Sequence, residues 1–246
     1  GIVYVDGVNG DDTKDGLGWA TAKKTIGAGL SAADDGWIVV VADATYNETD
    51  LNFNGKRIYL EGVDYYTSGA QPVIDCHYSG RAFYFGSGET KYSIVDNFTI
   101  QNGRVANTHG GAIVCENDSS PVITNCIFQS NEAVDTDGTY GGENGGAIYC
   151  VSSALSIINC TFSGNSASWY GGVVYCDSST LSITNCAFSD SVANWYGGVI
   201  YCDSSTLSIT NCTFSGNSAD DNGGAVYCLS LSLIHISEPT RPRLIS

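Results

Sequence analysis

From Gly145 onward, apolar and polar residues alternate in short runs that recur every 26 positions. Three copies follow one another: GGAIYCVSSALSIINCTFSGNSASWY from Gly145, GGVVYCDSSTLSITNCAFSDSVANWY from Gly171 and GGVIYCDSSTLSITNCTFSGNSADDN from Gly197. A fourth begins at Gly223 with GGAVYC. Within a copy the period is two. Gly172, Val174 and Cys176 fall on one side of the first run, and Val173 and Tyr175 on the other. Leu181 and Ile183 share a side of TLSIT, and Cys186 and Phe188 share a side of the run after Asn185. A period of two is that of a strand, not a helix. Each copy therefore predicts three short strands, joined by DSST, by the Asn and by a longer tail such as SDSVANWY.

Strands this short cannot close a core alone and must bury their apolar sides against the next copy. Stacking the copies as parallel coils gives an all-β fold, a right-handed, single-stranded parallel β-helix with three sheets and 26-residue coils. Residue i then lies over residue i+26 at the strand spacing of about 4.8 Å. The expected columns are Cys150, Cys176, Cys202 and Cys228; Cys160, Cys186 and Cys212; and Phe162, Phe188 and Phe214.

Asn125, Asn159, Asn185 and Asn211 sit at a tight bend between strands. Such a bend needs a residue near the left-handed region, which disfavours an ordinary L-residue by about 1–2 kcal/mol and Asn by less. Their amides are placed to hydrogen-bond along the stack. Asn159-Cys-Thr and Asn211-Cys-Thr match a glycosylation sequon, but Asn185-Cys-Ala keeps the Asn without it, which favours the turn role. Looser coils precede the regular ones. Gly110–Cys115 with Pro121–Phe128 is one, its tail swollen by the acidic insertion VDTDGTYGGEN, and Gly80–Phe85 with Ser93–Ile100 is another. In the latter Phe85 and Phe98 take the two Cys slots, which marks those slots as apolar interior.

Four segments follow. Residues 1–36 form an N-terminal cap: a strand at Tyr4, a polar loop, and helical spacing of Ala22, Ile26, Leu30 and Ala33 that predicts a short capping helix over 21–33. Gly27 and Gly29 weaken that helix by about 1 kcal/mol each. Residues 37–104 are irregular first coils, with strands in Trp37–Asn47 and Lys56–Glu61, and 105–228 are the regular GGxxYC coils. Together these make about seven coils and a rod about 35 Å long. The tail, 229–246, abandons the repeat and holds two of the four prolines and two of the ten basic residues. Leu231–Arg241 resembles a translated transposase sequencing adapter, so 229–246 is set aside as non-native; the alternative is a divergent end-cap. There is no Met, and both ends read as truncated, so the chain is expected to be a piece of a longer protein.

The formal charge is −16, and no Lys or Arg lies between Arg104 and Arg241. Such a surface repels nucleic acid. It reads as a solvated acidic face or, more sharply, as a calcium attractor. The ten Cys lack any CxxC and follow strand positions, which argues against zinc. Buried thiol ladders and inter-coil bridges are the two readings, and the Phe substitutions favour thiols. No signal peptide or membrane-spanning run is visible.

Gly145-Gly-Ala-Ile148 with Phe162-Ser-Gly-Asn165, and Gly223-Gly-Ala-Val226 with Phe214-Ser-Gly-Asn217, resemble the GGAI and FxxN repeats of chlamydial polymorphic outer membrane proteins. Phe188-Ser-Asp-Ser191 departs from FxxN. The opening YVDGVNGDDTKDGLGWATAKKTI resembles the N-terminal cap of pectin-lyase-like β-helices. The first resemblance implies a secreted or outer-surface, adhesin-like binding protein or stalk without catalysis, and the wider fold implies polysaccharide lyases and hydrolases as the alternative.

The candidate ligand or partner surface is Trp169, Tyr170, Trp195 and Tyr196, two pairs set 26 residues apart at the ends of successive tails. Stacked and exposed, such rings recognise sugars or a cell-surface protein; folded back, they cover the sheet edge. The Tyr149, Tyr175, Tyr201 and Tyr227 column reads as outward ladder packing. No catalytic residue is assigned. Arg81, Lys91, Arg104 and His109 are the basic groups near a coil face, with Asp135, Asp137 and Glu143 of the insertion as neighbours. Convergence of Arg104, His109 and the insertion on one groove is what an enzyme would require. No cofactor is expected except calcium, for which Asp11, Asp12 and Asp15, with Asn9, are the candidate ligands; a plain polar turn explains the same loop.

Overall fold

A computed structural model describes residues 1–138, 142–230 and 233–237. Its strands are short and every pairing is parallel, in the register the repeat predicts. Cys150 pairs with Cys176, and Cys176 with Cys202. Phe162 lies beside Phe188, and Phe188 beside Phe214. The chain thus winds as a parallel β-helix, each coil lying on the last. Cys115 stands directly over Phe85, so a Cys slot does accept a ring.

The expected three sheets are four among the described residues, with nine, seven, six and five strands. We call them sheets A to D. Sheet A holds the TLSIT strands and sheet B the Phe strands. Sheet C, which follows D within each coil, holds the strands that close the GGxxYC run, such as Val174–Asp177. Sheet D is the addition: Ser166–Ala167, Val192–Ala193 and their stacked neighbours form two- and three-residue strands inside the tail. One small apolar residue per strand points inward there, Val105, Ala133, Ala167 and Ala193, and these are buried. With one small apolar residue per strand, the tail carries no alternation to read.

A second correction concerns Val173, placed by parity on the outer side with Tyr175. It is fully buried in the core, as are its counterparts Ala112, Ala147 and Val199. The amides of Val173 and Val174 both donate to the carbonyl of Val199, at 3.0 and 2.8 Å. Two successive N–H groups sharing one acceptor form a bulge, which turns an extra residue inward. The paired glycines just before it have separate reasons. Gly171 has φ +66°, and a Cβ on Gly172 would overlap the Gly198 carbonyl oxygen of the next coil.

The interior is built from the predicted columns. Phe128, Phe162, Phe188 and Phe214 stack with centroids 4.7, 4.9 and 5.0 Å apart. All ten cysteines are free thiols, eight of them buried. The Cys160 thiol and burial together push the Cys186 thiol up to about 12. The Asn bend forms as expected: Asn125, Asn159, Asn185 and Asn211 have φ between 52° and 56°. Each Nδ2 donates to the Oδ1 one coil back, over 3.2, 3.1 and 2.7 Å. The FxxN asparagines form a second, buried ladder. Asn131 accepts the Gly103 amide, and Asn165 accepts the Asn131 amide. Ser191 replaces the Asn in the departing copy, and its hydroxyl accepts the Asn165 amide at 3.4 Å.

The cap opens with Ile2–Val5, which is itself the first strand of sheet A. The helix is shorter than its periodicity suggests, running over Ile26–Ala32 after a 3-10 turn at Trp19–Thr21. Thr25 sets its start, its hydroxyl accepting the Ala28 amide, and Glu48 accepts the Ile26 and Gly27 amides at 2.6 and 2.8 Å. Gly29 lets the helix settle on the first coils, since a Cβ there would lie 2.5 Å from Val5 Cγ2. At the other end, Leu233–Ser237 pairs with Thr206–Thr210 as the last strand of sheet A. The adapter reading otherwise falls on 231–232 and 238–246, which lie outside the described residues.

Candidate recognition surface

The aromatic pairs leave each tail just before the turning glycine, and backbone bonds fix their order. The Trp169 amide donates to Glu143, Trp195 to Trp169, and Asp221 to Trp195. One column therefore reads Glu143, Trp169, Trp195, Asp221. The next reads Asn144, Tyr170, Tyr196, Asn222, with the last three joined by isolated bridges and the first by Tyr170 N–H donating to Asn144 Oδ1.

The two columns divide the roles that the sequence left open. Tyr170 and Tyr196 turn back over sheet C. Each stacks on the ladder tyrosine of the following coil, Tyr201 and Tyr227 respectively, at 4.7 Å. They complete a packed tyrosine sheet with Tyr149, Tyr175, Tyr201 and Tyr227, whose rings are 5.2, 5.2 and 5.7 Å apart. Burial beside Asp203 pushes the Tyr201 hydroxyl up to about 12. Trp169 and Trp195 instead stand on the solvent side. Their rings are 5.0 Å apart and 4° from coplanar. The inner faces cover one another, leaving ring edges and the face of Trp195 toward Asp221; Trp195 is 38% exposed. Asp177 and Asp203, in register at the ends of their strands, add acidic groups at the far edge of sheet C.

The basic candidates do not all meet. Arg104 pairs with Glu132 at 3.3 Å on the outside of sheet D. Lys91 lies over the Tyr92 ring at 5.3 Å. His109 takes a different place, stacked on Tyr149 at 4.3 Å. Its Nδ1 accepts the Asn144 amide at 3.4 Å, and burial holds the imidazole below its usual range. Among the described residues, the insertion thus reaches His109 but not Arg104. Asp135 caps its own turn, accepting the Asp137 and Gly138 amides. Glu143 is buried, and its Oε2 has no hydrogen-bond partner among the described residues. Thr139, Tyr140 and Gly141 lie outside the described residues.

One grouping escaped the sequence reading. Tyr84 donates to Glu116 Oε1 at 2.5 Å, and Arg81 lies close enough for burial and the nearby Asp50 and Glu116 charges to perturb it. His109 is within electrostatic range of both Arg81 and Glu116. The outward parity of Tyr84 and Glu116 on successive sheet C strands was the available signal.

Asp11, Asp12 and Asp15 are not gathered as calcium ligands. Asp11 accepts the Thr13 amide and hydroxyl, Asp12 the Lys24 and Thr25 amides, and Asp15 the Leu17 amide. Asn9 donates to the Tyr66 hydroxyl. Among the described residues, no group of three or more His, Cys, Asp or Glu side chains is placed to hold a metal. Asp11 and Asp15 each serve a local turn, whereas Asp12 ties the loop to the Lys24–Thr25 segment. No helix among the described residues is long and apolar enough to cross a membrane.

The family described as right handed beta helix region matches residues 39–239. No curated protein matches the chain. A rhamnogalacturonan lyase structure is 13% identical, with a TM-score of 0.50 over 96% of this chain and 62% of that one. The chain thus spans under two thirds of that lyase. A GH136 lacto-N-biosidase from Eubacterium ramulus is 12% identical, with a TM-score of 0.34 over 96% and 68% of the two chains. At these identities the likeness concerns fold.

Proposed function

The chain belongs to the right-handed β-helix family, and on that scaffold we propose a non-catalytic, adhesin-like recognition rod, secreted or displayed at the outer cell surface. The observation that carries this reading is the Trp169–Trp195 pair. Two indoles held parallel on the solvent side, on a face without cationic neighbours in sequence, suit a neutral glycan or a cell-surface protein rather than a polyanion. Tyr170 and Tyr196 act behind them, stiffening the edge by stacking on the ladder.

The test is a panel of glycans and surface proteins scored for both retention and chain cleavage. Retention that Trp195→Ala weakens about tenfold, with no new chain ends, supports the reading. Release of unsaturated or hydrolysed ends overturns it.

The second reading, a carbohydrate-active enzyme, is favoured by the grouping of Arg81, Tyr84, Glu116 and His109 on the outer side of sheet C. Hydrolysis needs two carboxylates at a set separation, and elimination needs a base beside the sugar. Cleavage that disappears in Glu116→Gln, with folding intact, would establish this reading in place of the first.

A further inference from the structure

A second surface lies on the turn between sheets C and A, away from the indoles. Along sheet A, Tyr59, Ile94, Val122, Ser156, Ser182 and Ser208 are stacked neighbours. Two residues before each lies one outward column: Arg57, Tyr92, Ser120, Ala154, Thr180 and Thr206. Gly36 extends it, its amide donating to the Arg57 carbonyl. Three surface depressions follow this column and run into one another. The first, by Trp37 and Tyr59, shares Arg57 and Tyr92 with the second. The second shares Ser120 and Ala154 with the third, a trough of about 440 Å³. At about 4.8 Å per rung, seven rungs make one groove roughly 29 Å long.

The lining changes along its length. The cap end is aromatic, with Tyr92 58% exposed and one of its faces under Lys91. The far end is a bank of hydroxyls. Ser152, Ser178 and Ser204 occupy the turn with φ of 48°, 50° and 46°. Glycine or asparagine fits that backbone with less strain, and the opposite bend of the same coils uses asparagine. Serine at this bend is locally unfavourable and keeps a short hydroxyl at the groove edge on each rung. Ser178 and Ser204 donate to Asp177 and Asp203 at 3.0 and 3.1 Å, which leaves their oxygen lone pairs facing outward as acceptors. Arg57 is paired with Asp35. Asp118 is the one carboxylate among the residues lining these three depressions. With Asp177 and Asp203 behind the turn serines and Arg57 and Lys91 at the cap end, the strip carries both signs of charge, basic toward the cap and acidic along the hydroxyl bank.

We infer that this groove binds a linear, uncharged polysaccharide segment along the rod axis, aromatic rings holding sugar faces at the cap end and turn serines meeting sugar hydroxyls rung by rung. The rung spacing is close to the advance of one pyranose in an extended glycan, so a regular ladder offers each successive sugar the same donors and acceptors. An anionic polymer meets Asp118, Asp177 and Asp203 along the hydroxyl bank and is repelled there and by the remaining surface. The inference concerns a site distinct from the indole pair and stands whether or not that pair binds.

Calorimetry with the whole chain tests it, using neutral β-1,4-linked glucose, xylose and mannose oligosaccharides of three to six units, and polygalacturonate. At least one neutral series binds, more tightly as the chain lengthens. Tyr92→Ala weakens the hexasaccharide about tenfold. Thr180→Val, isosteric and on the surface, weakens it about threefold. Tyr92→Ala weakens it by the same factor in a Trp195→Ala background, which separates this site from the first. Circular dichroism confirms folding, and Tyr92→Phe retains binding if the ring is what matters. Binding by no neutral oligosaccharide, binding indifferent to both Tyr92→Ala and Thr180→Val, or binding of polygalacturonate alone overturns the inference.

Discussion

Gly172→Ala isolates the close approach of one coil to the next. A Cβ there overlaps the Gly198 carbonyl oxygen and lies 2.6 and 2.7 Å from the carbonyl oxygen and carbon of Val192. These are backbone atoms on two sides, tied into parallel ladders, so no side chain can swing clear. Relief requires the coils to part, which stretches the 3.1 Å bond from the Gly172 amide to Gly197. Overpacking destabilises by about 1–3 kcal/mol, and an unsatisfied buried amide adds about 1–3 kcal/mol. The sum is about 2–6 kcal/mol, a fall in Tm of roughly 10 °C near the middle of that range for a chain of this size. Gly164→Ala is the control. Its Cβ meets open space at φ +59°, so only the left-handed penalty applies. That is about 1–2 kcal/mol, or roughly 2–5 °C. The assay is thermal and urea unfolding by circular dichroism, with both arms compared because stacked coils can unfold in parts. If Gly172→Ala is no more destabilising than Gly164→Ala, the coils are not in the contact described.

Asn185→Ala removes both the αL-tolerant residue and two ladder bonds, and should destabilise by about 1–2 kcal/mol; Asn185→Gly, which keeps the backbone freedom, should do so by less, as read from urea midpoints. Cys186→Ser, which places a hydroxyl in an apolar column, should be less stable by about 1–3 kcal/mol, and an unchanged Tm would count against the inward assignment. Burial raises the Asp6 carboxyl, but the Tyr66 hydroxyl and the Asn9 and Val8 amides outweigh it and hold the group below its ordinary 3.8. Its contribution is therefore complete above that value and lost as pH falls through the lowered folded value. In acid titrations Asp6→Asn should be less stable than the parent near neutrality and converge with it at the acid end.

The regular coils were legible because each column repeats one residue type at one spacing. The Phe, Cys and Asn columns needed only the period, since parity decides which side faces in. What escaped depends on the backbone or on irregular spacing. Val173 faces inward because of a bulge, and a bulge leaves the residue types around it unchanged. Sheet D rests on pairs such as Ser166–Ala167, too short to alternate. The long groove was hidden because its first rungs are unevenly spaced. Ile38, Tyr59, Ile94, Val122, Ser156 and Ser182 stack at offsets of 21, 35, 28, 34 and 26 residues. Arg57 and Tyr92 therefore share a column with Thr180 without sharing its period. The aromatic pairs were found by the period, but their division into structural tyrosines and solvent-side tryptophans depends on how the chain turns at Gly171.

Every column, surface and groove described above requires that each coil rest in register on the one before, which in the regular coils sets residue i on residue i+26. A double-mutant cycle on the buried rings measures this in solution. Phe162 and Phe188 are in contact at 4.9 Å, whereas Phe162 and Phe214 are separated by a full coil. With leucine substitutions, the account predicts a coupling of about 0.5–1.5 kcal/mol for the adjacent pair and additivity for the separated one. Additivity for Phe162 and Phe188, or a stronger coupling between Phe162 and Phe214, would contradict it.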